Sequence, residues 1–369
     1  MGESTDVFVI GGGPAGLAAA IAACRKGFRV TVADGAKPPI EKACGEGLMP
    51  DTLVALRELG ISVGAADGFA FRGIRFVEGA SDATARFPFE PGVGMRRPVL
   101  HQKMIDRAGA CGVALRWETP VMGLEAETVI LASGQRIGAK WIVGADGSGS
   151  RVRKWSGLDT FSRFHSRFAY RQHFQLKPRT NCVEVHWGRQ IQAYMTPVSY
   201  QEICLTIMSE RRDLRLAEAL GFFPELRERL ETALPSSTER GAITATQSLR
   251  RIVARNVALV GDASGGVDAI TGEGLNLAFR QGIALADALE QGDLAAYQKA
   301  HRGIVRRPTF MARLMLLLGK NADLRRRVFR TLAADSELFS MLLSFHIGAR
   351  PSAVCVSMTA RLGWQMISA

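Results

Sequence analysis

The run DVFVIGGGPAGLAAAIAACRKGFRVTVAD, Asp6 to Asp34, leaves this chain few folds to choose from. Val7 to Ile10 is a short apolar stretch of strand type, and glycines crowd the residues after it. Pro14 sits where a first helical position tolerates a missing N–H, Leu17 to Cys24 is an alanine-rich helix former, and Gly27 ends it. Val30 to Ala33 then reads as a second strand. Gly11, Gly13 and Gly16 fall at GxGxxG spacing: the first makes the turn, the second lets backbone approach a pyrophosphate, the third allows close helix packing. Pro14 and Ala15 lie in the same turn, at a helix amino end where free N–H groups and the dipole favour negative charge. Asp34 closes the second strand, placed to accept hydrogen bonds from an adenosine ribose. The unit predicts a bound dinucleotide without distinguishing FAD from NAD.

Later segments narrow the choice. WIVGADGSGSRVRK, from Trp141, follows ETVILASGQRIGAK, and together they read as two strands around the Ser133-Gly134 turn and a third strand ending at Asp146-Gly147. Asp146, Gly147, Ser150 and Arg153 match the DGxxSxxR motif, and VALVGDASG, with Gly261 and Asp262, matches the GD motif. In TGEGLNLAF, Gly272 and Gly274 open a helix whose free N–H groups can face a ring edge or a phosphate. GVGMRRPVLHQ supplies an Arg-x-x-Leu segment through Arg97 and Leu100. In this order the motifs resemble the para-hydroxybenzoate hydroxylase superfamily of flavoproteins, and ACGEGLMP, with Cys44 and Gly45, is most similar to its geranylgeranyl reductase-like group. The resemblance implies FAD, with NAD(P)H as reductant. It implies Asp262 on the ribityl chain, Asp146 and Gly147 near the pyrophosphate, Arg97 near the flavin or its phosphates, and Cys44 beside the flavin.

Between these motifs, residues 69–91 and 161–246 carry alternating patterns such as CVEVHW, QIQAYMTPV and EICLTIM, which read as antiparallel strands with one face buried. A helical, charge-rich stretch from Pro224 to Leu234 intervenes, and the chain after Gly292 turns helical, basic and rich in Leu and Met. The expected fold class is α/β: a Rossmann-like FAD/NAD(P)-binding domain interleaved with a mainly antiparallel substrate domain, plus C-terminal helices. FAD-binding parts are expected at 1–68, 96–158 and 247–295, substrate-domain parts at 69–95 and 159–246, and a helical region at 296–369.

Six cysteines lack metal-ligand spacing, so neither a metal site nor a disulfide framework is expected, and a reducing cytoplasm is the simplest home. The amino terminus has no room for a signal peptide, and no 18-residue apolar run occurs. The formal charge of +12 suits an anionic cofactor or peripheral contact with acidic membrane lipids through the basic C-terminal helices. No helix-turn-helix, RNP-like or zinc-finger pattern points to nucleic acid. The six histidines follow no triad or ligand spacing and read as structural.

A single dinucleotide fold argues against two-dinucleotide disulfide reductases. Three chemistries remain: oxygenation of an activated aromatic, saturation of isolated double bonds, and halogenation, with a flavin module lacking turnover as the non-enzyme case. The chain lacks the WxWxIP motif of tryptophan-type halogenases. It also departs from the hydroxylases, because Ala269 follows Asp268 where they usually carry a flavin-side proline, and from the reductases, because AYMTPVS replaces their Trp-x-Phe-Pro signature. How widespread monooxygenases are favours hydroxylation of a small lipophilic aromatic or polyketide-type substrate over reduction of a prenyl double bond. No catalytic side chain can be named, and Asp268 and Glu273 have no assigned role.

Overall fold

Val7, Phe8 and Val9 are fully buried, as a strand covered on both faces requires. The computed structural model describes residues 3–79, 81–350 and 361, except the side chains of 161–165 and 245. Expectations that touch Cys355, Trp364, the side chain of His165 or the helical character beyond Arg350 fall outside them. Strand Ser4–Ile10 lies parallel to Val30–Ala33 on one side and to Arg136–Gly144 on the other, with helix Pro14–Arg25 as the first crossover. Ala114–Arg116 and Val257–Leu259 extend this sheet in parallel at its two sides, and Val253–Ala254 adds an antiparallel edge. One expectation is corrected here: RIGAK and WIVG form one continuous strand, Arg136–Gly144, because no turn residue separates them.

Among the described residues the second sheet has nine strands. Its centre is the long strand Phe161–Gln175, antiparallel to Arg240–Leu249 on one side and to Glu202–Ser209 on the other. Ile191–Pro197 and Val183–Trp187 continue the antiparallel order, and Gly73–Glu78 joins in parallel with Ser81–Arg86 at the edge. The charge-rich stretch forms a helix only over Pro224–Leu230, after which Leu234–Pro235 pairs with the long strand. A small sheet of Gly47–Leu48, Gly92–Gly94 and Phe69–Phe71 forms from the chain as it passes between the two large ones. The result is the α/β architecture with an interleaved, mainly antiparallel sheet.

Helix Gly274–Gln291 lies against the first helix so closely that a Cβ on Gly282 would stand 2.7 Å from the Ala19 nitrogen. Among the described residues helices Leu294–Lys320, Ala322–Ala334 and Ser336–His346 follow, and the carboxylate or amide of Asp293, Asn321 and Asp335 caps each start. They cover the edge of the second sheet, where Phe76 packs against Trp187, Phe329 and Phe339 with ring centroids 4.8 to 5.7 Å apart. Among the described residues no helix is long and apolar enough to cross a membrane.

Candidate flavin site

The glycine-rich turn is fixed by sterics. Gly11 has φ +111° and a Cβ there would meet the Ala145 oxygen at 2.4 Å, while a Cβ on Gly16 would lie 1.8 Å from the Gly11 oxygen. Gly13 is different: a Cβ would meet nothing within 4 Å, and the helix starting beside it at Pro14 has no side-chain cap. Asp34 accepts hydrogen bonds from the Gly12 and Ala36 nitrogens, each 2.7 Å away, which ties the second strand to the turn. Two residues that sequence reasoning passed over hold the turn from behind. The Trp117 ring lies over Gly12, and His101 contacts the Gly12 oxygen through Nε2 at 2.8 Å. His101 Nδ1 accepts from the Ile40 nitrogen, so Nε2 carries the proton, and burial lowers the pKa of the ring, keeping it neutral.

The DG and GD motifs meet through Arg153. Asp146 accepts from Ser150 Oγ at 2.5 Å and from the Arg151 and Val152 nitrogens, capping a short helix, Arg151–Trp155. Arg153 is buried and donates to the oxygens of Ser148 and Ala263, so it braces the turn after Asp262. Gly147, at φ +81°, gives the turn its left-handed residue. Gly261, at φ +59°, rests on Ala15: a Cβ would stand 2.5 Å from the Ala15 Cβ, so the first and last motifs are in direct contact. Asp262 is half-exposed and meets Lys42 Nζ at 2.8 Å.

The Cys44-Gly45-Glu46-Gly47 loop brings in the second sheet. Glu46 has φ +58° and a buried carboxylate. Its Oε1 accepts from the Arg97 nitrogen at 2.9 Å and its Oε2 lies 2.6 Å from His173 Nε2. His173 Nδ1 is 3.0 Å from Arg171 Nη1 and 2.8 Å from Ser237 Oγ, and Arg171 Nη2 donates to Glu41. An arginine can only donate, so Nδ1 accepts and the Nε2 proton points at Glu46. Cys204 Sγ contacts the Cys44 oxygen at 3.6 Å, and burial raises its thiol well above the usual range. The donor atoms of Glu46, His173 and Cys204 lie within 4.8 Å of one another. The Arg171 guanidinium against His173 and the protonated thiol both oppose a cation there.

A second buried cluster surrounds the start of helix Gly274–Gln291, after Gly272 at φ +70°. Asn276 Nδ2 donates to Asp51 Oδ2 at 2.7 Å and to Glu273 Oε2 at 2.9 Å, and His346 Nε2 lies 3.4 Å from Glu273 Oε1. Burial and then the Glu273 carboxyl push Asp51 up to about 7, and burial raises Glu273 too. A raised carboxyl stabilises the fold fully below its unfolded pKa and loses that contribution as pH rises through the folded one. His346, held neutral by burial with a pKa of about 4, acts in the opposite sense only below its ordinary 6.5. Between about pH 6.5 and 8 this carboxyl therefore removes about 1 kcal/mol of stability. Asp51→Asn, which keeps an oxygen for Asn276, flattens that slope in urea titrations across the same range; an unchanged slope would show that Asp51 is ionised throughout.

Whether these residues suit FAD can be judged from backbone and burial. Among the described residues, Gly13 and Gly274 each stand at an uncapped helix start with open space where a Cβ would be, Gly45 is open likewise, and buried Arg97 Nε has no hydrogen-bond partner. Two such helix ends fit a pyrophosphate and an electron-rich ring edge. A menaquinone reductase of Mycobacterium tuberculosis is 26% identical over 327 residues, 79% of this chain and 78% of its own. A ubiquinone hydroxylase of Rhodospirillum rubrum is 27% identical over 77% and 72%. A geranylgeranyl bacteriochlorophyll reductase-like protein from Thermoplasma acidophilum shares the fold at TM-score 0.78 and 20% identity, covering 90% of this chain and 92% of its own. The FAD binding domain family matches residues 4–292, from the first strand to the end of the helix that packs on the first helix, and the chain is thus an FAD-dependent oxidoreductase of that family.

Proposed function

We propose that this protein reduces an isolated carbon–carbon double bond in a small lipophilic, polyprenyl-type substrate with NAD(P)H as reductant. The observation that carries the reading is the buried His173–Glu46 pair against the Cys44–Gly47 loop. FAD, when bound, supplies the hydride equivalent taken from NAD(P)H. Saturation also needs a proton on the second carbon, and a positioned side chain can supply it. In the proposed step Glu46 hands the carbon a proton received from His173 Nε2, while His173 Nδ1 takes one from half-buried Ser237, whose hydroxyl is resupplied from outside. Arg97 and Glu46 hold each other through the 2.9 Å backbone contact, fixing the carboxylate. Hydroxylation of an activated aromatic ring asks little of such groups. The similarity to the mycobacterial menaquinone reductase supports the same side.

Hydroxylation of a lipophilic aromatic is the second reading, supported by the similarity to the ubiquinone hydroxylase. Single turnover of pre-reduced protein without oxygen separates them. A saturated product from a polyprenyl substrate is the expected outcome, and a strict oxygen requirement with a hydroxylated product would overturn it. His173→Gln is expected to slow product formation about 100-fold with flavin content unchanged.

A further inference from the structure

Helix Leu294–Lys320 buries Tyr297, His301, Pro308, Met311, Ala312 and Leu318 against the protein. Its opposite face exposes Arg302, Arg306, Phe310, Arg313, Leu317 and Lys320, at steps of three and four that place them on one stripe. Phe310 is 46% and Leu317 51% exposed. None of the four cations has a carboxylate partner among the described residues, and exposed Arg327 and Arg330 on the following helix add to the same sign of charge. The chain's formal charge of +12 is thus concentrated in part on a stripe about 27 Å long.

We infer that this stripe lies flat on an anionic phospholipid surface, with Phe310 and Leu317 among the headgroups and the arginines and Lys320 on the phosphates. The inference rests on the proposed lipophilic substrate for its purpose, since such a molecule partitions into bilayers, but on exposure and charge for its evidence. Interleaving decides the occupant. Duplex DNA, its bases already stacked, would use the cations alone and gain little from an exposed Phe and Leu between them, whereas a lipid interface takes up both. The buried inner face means that the helix lies in the interface and does not cross it.

The test is co-sedimentation of the full-length, FAD-loaded protein with vesicles of phosphatidylglycerol and phosphatidylcholine, against phosphatidylcholine alone. Binding is expected only to the anionic vesicles and is expected to fall as salt rises. The double variant Arg306→Glu/Arg313→Glu should bind at least about 30-fold more weakly. Phe310→Ser/Leu317→Ser should weaken binding at constant charge. Equal binding by wild type and both variants, or failure of the anionic vesicles to sediment the protein, would overturn the inference. So would retention on random duplex DNA that the Phe310→Ser/Leu317→Ser variant keeps while losing nothing on vesicles. Turnover of detergent-dispersed substrate is measured in parallel: all variants keep it if the reductase reading holds, and its absence beside intact vesicle binding condemns that reading alone.

Discussion

Gly13→Ala yields a folded protein that has lost most of its flavin. A methyl at this position meets no protein atom within 4 Å, and the residue's φ of −71° suits any side chain, so melting of the apo-protein stays at the wild-type temperature. The methyl instead projects into the space over the first helical N–H groups, where a pyrophosphate has to come within hydrogen-bond distance. FAD affinity is expected to fall about 100-fold, read from the flavin-to-protein absorbance ratio and by titration of apo-protein. Gly16→Ala is the harsher partner, because its methyl would lie 1.8 Å from the Gly11 oxygen and backbone has to move. It should lose flavin and stability together. Wild-type flavin content in Gly13→Ala would mean that the phosphates rest elsewhere.

The second large effect is expected far from the glycine turn. Arg167 is almost fully buried, with Nη1 3.1 Å from Asp268 Oδ1 and Nη2 on Gln192 Oε1 and the Met208 oxygen. Asp268 also caps the turn that follows it by accepting from the Ile270 nitrogen at 2.9 Å. Asp268→Ala leaves a guanidinium without its counter-charge in the interior, at a cost of about 3–5 kcal/mol in urea unfolding. Asp268→Asn keeps the cap and should recover part of that. The paired replacement Arg167→Met/Asp268→Leu should cost less than Asp268→Ala alone, since a buried ion pair often contributes little beyond an apolar pair of similar size. A loss below about 1 kcal/mol for Asp268→Ala would mean that water reaches Arg167.

What could be read in advance follows from how locally each feature is written. The glycine-rich turn is legible because its steric demands fall on adjacent residues: Gly11 and Gly16 are close both in sequence and in space. The GD turn is legible for the same reason. DGxxSxxR was recognisable as a motif, yet the spacing did not tell that Asp146 and Ser150 would cap a helix and Arg153 would reach Ala263. The His173–Glu46 pair could not be found at all, because its members stand 127 residues apart and one sits on a sheet strand that carries no signature. Asp268 and Glu273 were visible as acidic residues without a purpose. Their partners, Arg167 in one case and Asn276 with His346 in the other, include residues contributed by a different sheet and by the last described helix.

The contact of Gly261 with Ala15, and of Gly282 with Ala19, sets a schedule for the growing chain. The first strand, turn and helix leave the ribosome early, but the surface that completes them is encoded more than two hundred residues later. At about 5–20 residues per second, the apolar strand Ser4–Ile10 and the alanine face of its helix wait some tens of seconds for their cover. Throughout that interval no mature cofactor cradle exists, so FAD meets a complete site only once the residues up to Gly282 have emerged.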